Sequence, residues 1–175
     1  MTKPINVISK RFARSIARLV GAPTPIKSPI LAIRVFWTNS KIKNSLINKI
    51  PDLLRQSQSE FSKTGGIHAS ALFNKEGKPL VIKEDVGRHN ALDKVIGHAL
   101  KNSIFDTKNQ FIACSGRLSF ELVQKTLMAN IGLLMGVGAP TSLAIDLAKQ
   151  FNITLIGFVK SDSFNIYCGE SRILK

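Results

Sequence analysis

The sequence predicts a three-layer α/β/α domain built on a mixed sheet. Two observations carry this. From Phe111 onward, short apolar runs alternate with helical-period segments, and each run ends in a Gly- or Ser-containing turn. Ahead of them lies a hairpin signal, Asn74-Lys75-Glu76-Gly77, between two apolar runs.

In chain order, Pro51–Phe61 reads as a short amphipathic helix opened by proline. Ile67–Phe73 and Pro79–Lys83 read as the two hairpin strands. After Glu84–His89, the residues Ala91, Leu92, Val95, Ile96, Ala99 and Leu100 recur at helical spacing and predict one buried face. Three further units follow. Phe111–Cys114 is a strand turning at Ser115-Gly116-Arg117, with Ser119 placed to cap a helix over 120–131. Leu133–Val137 turns at Gly138-Ala139-Pro140, with Thr141 or Ser142 capping a helix to about Phe151. Ile153–Val159 ends at Lys160–Ser163, before a last strand over 164–168. Alternation of this kind predicts largely parallel pairing with helices on both faces.

Composition narrows the function classes. The chain has 175 residues, 44% apolar and 21% charged, with a net charge of +14. No apolar run reaches the ~18 residues of a membrane span, and the first 20 residues lack the apolar core of a secretory signal. Two cysteines, Cys114 and Cys168, are too few for a disulfide framework or a four-ligand zinc site, which points to a reducing, cytoplasmic setting. The charge is uneven: residues 1–51 hold ten Lys or Arg and no acid, whereas 52–175 hold fifteen basic and eleven acidic residues. The expected organisation is therefore a basic arm over 1–49 and an α/β domain over 50–175. The arm has several readings: a transit-peptide-like segment, a nucleic-acid or anionic-surface arm, a plain solvated arm, or the product of a shifted reading frame. Few aromatics lie among its basic residues, which disfavours stacking on nucleic acid.

Ligands of such sheets bind outside the carboxyl ends of the strands. Three loops answer that description: 115–119, 138–142 and 160–163. Two of them open helices, whose free N–H groups favour an anion, and Arg117 and Lys160 add positive charge; the plain alternative is routine helix capping. The densest polar cluster, Glu84–Asn90, offers Asp85, Arg88 and His89 either to a pocket or simply to a helix start. His68 follows Gly65-Gly66, where the backbone can approach a ligand closely. A zinc deaminase site would need His-x-Glu and Pro-Cys-x-x-Cys. The chain has His68-Ala69-Ser70 and cysteines 54 positions apart, so that chemistry is excluded and no metal site is expected. Cys114 and Cys168 read as strand residues rather than nucleophiles, and His98 as a surface or core-edge residue.

Thr64–Ala69, Glu84–Lys94, Ser115–Arg117, Ala139–Thr141 and Gly157–Lys160 together resemble the FdhD family of formate dehydrogenase accessory sulfurtransferases, from about Ile50 to the end. The resemblance implies a cytidine-deaminase-like fold without zinc, a homodimer, and a role in molybdenum cofactor maturation. Sulfur would come from a cysteine desulfurase as a persulfide and pass to molybdenum in bis(molybdopterin guanine dinucleotide), carried as cargo for formate dehydrogenase. It also implies that the cofactor is held at Phe158, Val159, Lys160, Ser161, Asp162 and Ser163, where Asp162 adds a negative charge. The persulfide pair of that family, a Cys-x-x-Cys ahead of Gly-Gly-x-His, does not occur in these residues, so no catalytic residue is assigned and sulfurtransferase activity is left open. A shifted frame of Ile16–Gly21 permits such a pair. The alternatives are a cysteine-free variant that binds the cofactor without catalysis, or a nucleic-acid-binding protein using the arm.

Overall fold

The computed structural model describes residues 41–106 and 108–174. Its centre is a six-stranded sheet in the order β3-β2-β4-β5-β6-β7. The strands are β2 (His68–Asn74), β3 (Pro79–Asp85), β4 (Gln110–Cys114), β5 (Leu133–Gly136), β6 (Thr154–Gly157) and β7 (Asn165–Cys168). A separate two-stranded parallel pair joins β1 (Ile42–Lys43) to β8 (Ile173–Leu174), an element the sequence reading lacked.

The hairpin forms as read. Asn74 accepts the Lys78 amide on Oδ1 at 2.8 Å, and Gly77 takes φ +85°, a value glycine reaches without a Cβ clash. Pro79 opens β3, which is an edge strand, so its missing N–H costs no ladder bond.

The sheet is mixed, but less parallel than the alternation suggested. Only β4–β5 and β5–β6 are parallel, while β2–β3, β2–β4 and β6–β7 are antiparallel. The reason is that β2 lies between β3 and β4, so the connection from β3 skips a strand. That connection is helix α4 (Arg88–Lys101); α5 (Phe120–Met128) and α6 (Ser142–Gln150) make the next two crossovers. All three crossovers advance the same way along the sheet, and right-handed connections therefore place all three helices on one face. The other face is covered by the short helices α1 (Asn44–Ile47) and α2 (Ile50–Gln56), which α3 (Ser59–Thr64) follows.

Alternation along the strands divides the core accordingly. Ala71, Phe73, Phe111, Ala113, Leu133 and Met135 are buried with Ile42, Ile47, Ile50 and Leu54. Phe73 and Phe111 stack with centroids 5.2 Å apart, a contact worth about 0.5–1.5 kcal/mol beyond area burial. The intervening Leu72, Ile112, Leu134 and Leu155 are buried toward α4–α6.

Three sequence expectations need correction. The folded body starts ahead of position 50, because Ile42 and Ile47 are already core residues; residues 1–40 of the expected arm lie outside those described. The helix expected over 51–61 is two helices, broken at Ser57-Gln58. Helix α2 buries Ile50 and Leu54, whereas α3 buries nothing and is tied by its first amides to Glu84, so the chain must turn between them. Leu100 is 65% exposed, since at 100° per residue it sits about 140° from Val95, outside the arc of Ala91, Leu92, Val95 and Ala99. Among the described residues, no helix is long and apolar enough to cross a membrane.

Candidate functional site

Because β3, β4, β5 and β6 run the same way, their carboxyl ends share one edge, and antiparallel β2 brings its first residue, His68, to the same place. Hydrogen bonds stack the edge loops. Ser115 and Ala69 exchange two bonds, one from the Ser115 amide to the Ala69 carbonyl and one from the Ala69 amide to Ser115 Oγ, both at 2.9 Å. The Gly138 amide donates to the Gly116 carbonyl, and the Phe158 amide to the Gly138 carbonyl, each at 3.2 Å. A Cβ on Gly138 would stand 2.7 Å from the Arg117 nitrogen, so this stacking requires glycine there. All three sequence-read loops do meet at this edge.

Around Gly116 the structure gathers residues that are far apart in sequence. A Cβ at Gly116 would stand 3.1 Å from His68 Nδ1 and 3.8 Å from Arg88 Cδ. Next to Arg88, His89 Nε2 is hydrogen-bonded to Ser119 Oγ at 2.8 Å and lies 3.7 Å from the Glu121 carboxylate. Glu121 is held below the usual carboxylate range, first by its own backbone amide, then by the Ser119 hydroxyl, with His89 and Arg88 adding positive charge. Ser119 occupies the N-cap of α5 as read, but its side chain makes no cap bond; the hydroxyl is engaged by His89 and Glu121. Thr141, by contrast, caps α6 by accepting the Ala144 amide.

The Glu84–Asn90 cluster separates into two roles. Glu84 accepts the Glu60 and Phe61 amides at 3.0 Å each and so caps α3. Asp85 accepts the Gly87 amide at 2.9 Å and Asn90 Nδ2 at 3.2 Å, and pairs with Lys94. The Lys94 ammonium, then the Gly87 amide, push its pKa down to about 2. Asp85 therefore anchors the start of α4, while Arg88 and His89 face the edge. Arg117 is exposed on its loop.

In the segment 158–163, Phe158 is 43% exposed and has φ +51°, a strained value for an aromatic residue. Val159 is buried at 2% exposure with its amide bonded to the Gly136 carbonyl, so it anchors the loop from below. Lys160 donates its amide to the Ser163 carbonyl at 2.8 Å, and Ser163 Oγ donates to Asp162 at 2.9 Å, closing a tight turn; Lys160, Ser161, Asp162 and Ser163 are all exposed. Below the edge, Ser70 donates to Cys114 Sγ at 3.4 Å, and burial pushes the Cys114 thiol up to about 11. Burial also raises the Cys168 thiol. His98 is exposed on α4.

The sequence reading missed Glu121 and Ser70 as site residues, and had Ser115 only as part of the 115–119 loop. Each carries only a routine local signal: an acid in a first helical turn, and serines at a strand and its turn. Among the described residues, no group of three or more His, Cys, Asp or Glu side chains is arranged to hold a metal ion.

An open α/β sheet with stacked glycine loops at its strand ends belongs to the class of α/β domains in which ligands meet the carboxyl ends of the strands. Residues 12–174 match the FdhD/NarQ family, and the chain belongs to that family. The sulfur carrier protein FdhD of Streptomyces avermitilis is 48% identical over 133 residues, which are 76% of this chain and 47% of that protein. The sulfur carrier protein FdhD of Saccharolobus solfataricus is 44% identical over 174 residues, 99% of this chain and 66% of that protein. A crystal structure from Desulfotalea psychrophila, described as that of a formate dehydrogenase accessory protein, overlays with a TM-score of 0.71 at 30% identity, covering 78% of this chain and 58% of that one. The chain spans about half the length of the Streptomyces relative. The family match starts at residue 12, well ahead of Ile50.

Proposed function

We propose that this chain is the cofactor-holding part of a sulfur carrier that serves formate dehydrogenase, and that it carries bis(molybdopterin guanine dinucleotide) as cargo on the strand-end edge. The observation that carries this reading is Phe158: an exposed aromatic ring in a strained backbone conformation, stacked by its amide on the Gly138 loop and followed by Lys160. An aromatic face can stack on a purine, and a neighbouring ammonium can meet a phosphate.

The residues of this chain would bind and orient the cargo rather than carry the sulfur. A persulfide carrier needs an accessible thiolate, and burial raises both Cys114 and Cys168 away from that form. In this reading the persulfide arrives from a cysteine desulfurase on a thiol other than these two, and formate dehydrogenase receives the loaded cofactor. The cytoplasm is the compartment that suits this exchange.

GDP is the accessible probe of the guanine dinucleotide end. Calorimetric titration of the folded chain should give saturable GDP binding, weakened at least about tenfold by Phe158→Ser. Absence of GDP binding by a folded protein would refute the reading. The nucleic-acid alternative predicts instead a steeply salt-dependent association with DNA or RNA that is lost when the basic arm over 1–49 is removed.

A further inference from the structure

We propose that α3 is a flap on the strand-end edge: it swings open as a unit while the rest of the domain stays folded, with Glu84 as its latch. Three features of the segment lead there. First, α3 has no apolar anchor. None of its residues is buried, and six residues are too few to hold a helix by their own hydrogen bonds. What holds it is polar and open to water. The Glu84 carboxylate accepts the Glu60 and Phe61 amides at 3.0 Å each and faces Ser59 Oγ at 3.5 Å, and the Arg55 guanidinium lies 4.0 Å from the Phe61 ring centre. Contacts of this kind are exchanged for water at small net cost.

Second, α3 ends in a pair of glycines that lie in open space. Gly65 has φ +69°, and a Cβ built there would meet nothing within 4 Å. Gly66 follows, with only the Thr64 carbonyl at that range. Rotation about this pair meets no neighbouring element. Third, the other end turns at Gln58, which is 5% exposed and whose Nε2 is buried with no hydrogen-bond partner among the described residues. A donor left in this way penalises the closed arrangement, and opening lets water reach it. The Glu84 latch and the orphaned Gln58 amide therefore act on the same segment in opposite directions.

The place of the flap ties it to the site. Glu84 is next to last in β3 and pairs with Ala69 in the ladder, so the latch sits at the carboxyl end of the edge strand. The strap Gly65-Gly66-Ile67 runs from α3 to His68, the first residue of β2, whose ring lies against Gly116 in the 115–119 loop. A movement of α3 is thereby handed to the residue that touches the first of the edge loops. The flap stands on these contacts alone; only the choice of GDP as the ligand that closes it rests on the function proposed above.

The test is amide hydrogen exchange of the full chain, followed residue by residue by nuclear magnetic resonance. It is run on the wild type and on Glu84→Ala, Glu84→Gln and Arg55→Ala, each checked for cooperative thermal unfolding. The informative amides are Ser62, bonded to the Gln58 carbonyl, and Gly65, bonded to the Phe61 carbonyl, because neither is bonded to Glu84. In the wild type both should exchange at rates that low urea leaves unchanged, whereas Ala113 and Leu134 in the sheet exchange only by unfolding. Glu84→Ala should speed both by about fivefold, with Glu84→Gln in between, and Arg55→Ala should speed both by about two- to fivefold. Saturating GDP should slow both by about threefold or more. Exchange of Ser62 and Gly65 only together with the sheet, or acceleration in Glu84→Ala confined to Glu60 and Phe61, would overturn the flap. GDP that binds by calorimetry yet leaves both rates unchanged would overturn its link to the site while leaving the proposed function standing. GDP that fails to bind would refute that function, and the flap is then decided by the urea and variant rates.

Discussion

Gly138→Ala tests whether the edge loops are stacked as closely as described. A Cβ at this position would stand 2.7 Å from the Arg117 nitrogen, 2.8 Å from Arg117 Cα and 2.8 Å from the Gly116 carbonyl carbon. All three are main-chain atoms, so no side chain can rotate away, and relief requires the 115–119 and 137–141 loops to part. That motion would break the Gly138–Gly116 and Phe158–Gly138 amide bonds, which hold the edge together. Overpacking costs about 1–3 kcal/mol, and backbone contacts place this case near 3 kcal/mol. For a domain of this size that corresponds to a fall in Tm of roughly 10 °C. Gly97→Ala is the internal control. Gly97 lies inside α4 with nothing within 4 Å of a built Cβ, so alanine should raise stability by about 0.8–1.0 kcal/mol. Urea unfolding followed by circular dichroism measures both. If Gly138→Ala unfolds within about 0.5 kcal/mol of the wild type, the loops are not stacked in this way and the geometry assigned to the site is wrong.

Further outcomes follow from other parts of the structure. Asp85 has a pKa lowered to about 2, so the stability it contributes is complete above the unfolded carboxylate value of about 3.9 and is lost as pH falls toward 2. Asp85→Asn should therefore be less stable than the wild type at pH 6, and the gap in urea midpoint should close between about pH 4 and 2; a gap independent of pH would contradict the assigned role. Glu84→Ala removes the acceptor for two α3 amides and should cost about 1 kcal/mol while exposing the 59–64 segment to proteolysis. Cys114 is buried with its thiol raised to about 11, so it should resist alkylation in the native state and react promptly in denaturant, as mass spectrometry would record. Prompt native labelling would show that the Ser70–Cys114 layer is open.

Much of the fold was legible because its signals are local. Asn74 and Gly77 mark the hairpin by what their side chains and backbone can do, and Thr141 caps where a residue of its type should. The break at Ser57-Gln58 carries no Gly or Pro and arises from Glu84, more than twenty positions on, so no local pattern announced it. The strand pairing was misjudged for a related reason: placing β2 between β3 and β4 is a tertiary choice, and alternation of strands and helices does not encode it.

The site shows the same division. Its three loops could be read from the rule that ligands meet strand ends, and His68, Arg88, His89 and Arg117 could be picked by chemistry. Their separation from Asp85 could not, because a carboxylate that starts a helix and one that faces a ligand occupy the same kind of sequence. Ser119 looked like an ordinary cap, and only the approach of α4 to α5 shows its hydroxyl turned to His89 instead.

The central claim is that the strand-end edge is where this chain meets a phosphate-bearing nucleotide. Titrating GDP into isotopically labelled protein and following backbone amide resonances tests it most directly. The account predicts saturable shifts at Gly116, Gly138 and Phe158, with the hairpin turn at 74–78 on the opposite end of the sheet unmoved. Shifts confined to that turn, or no shift at any amide of the edge, would contradict it.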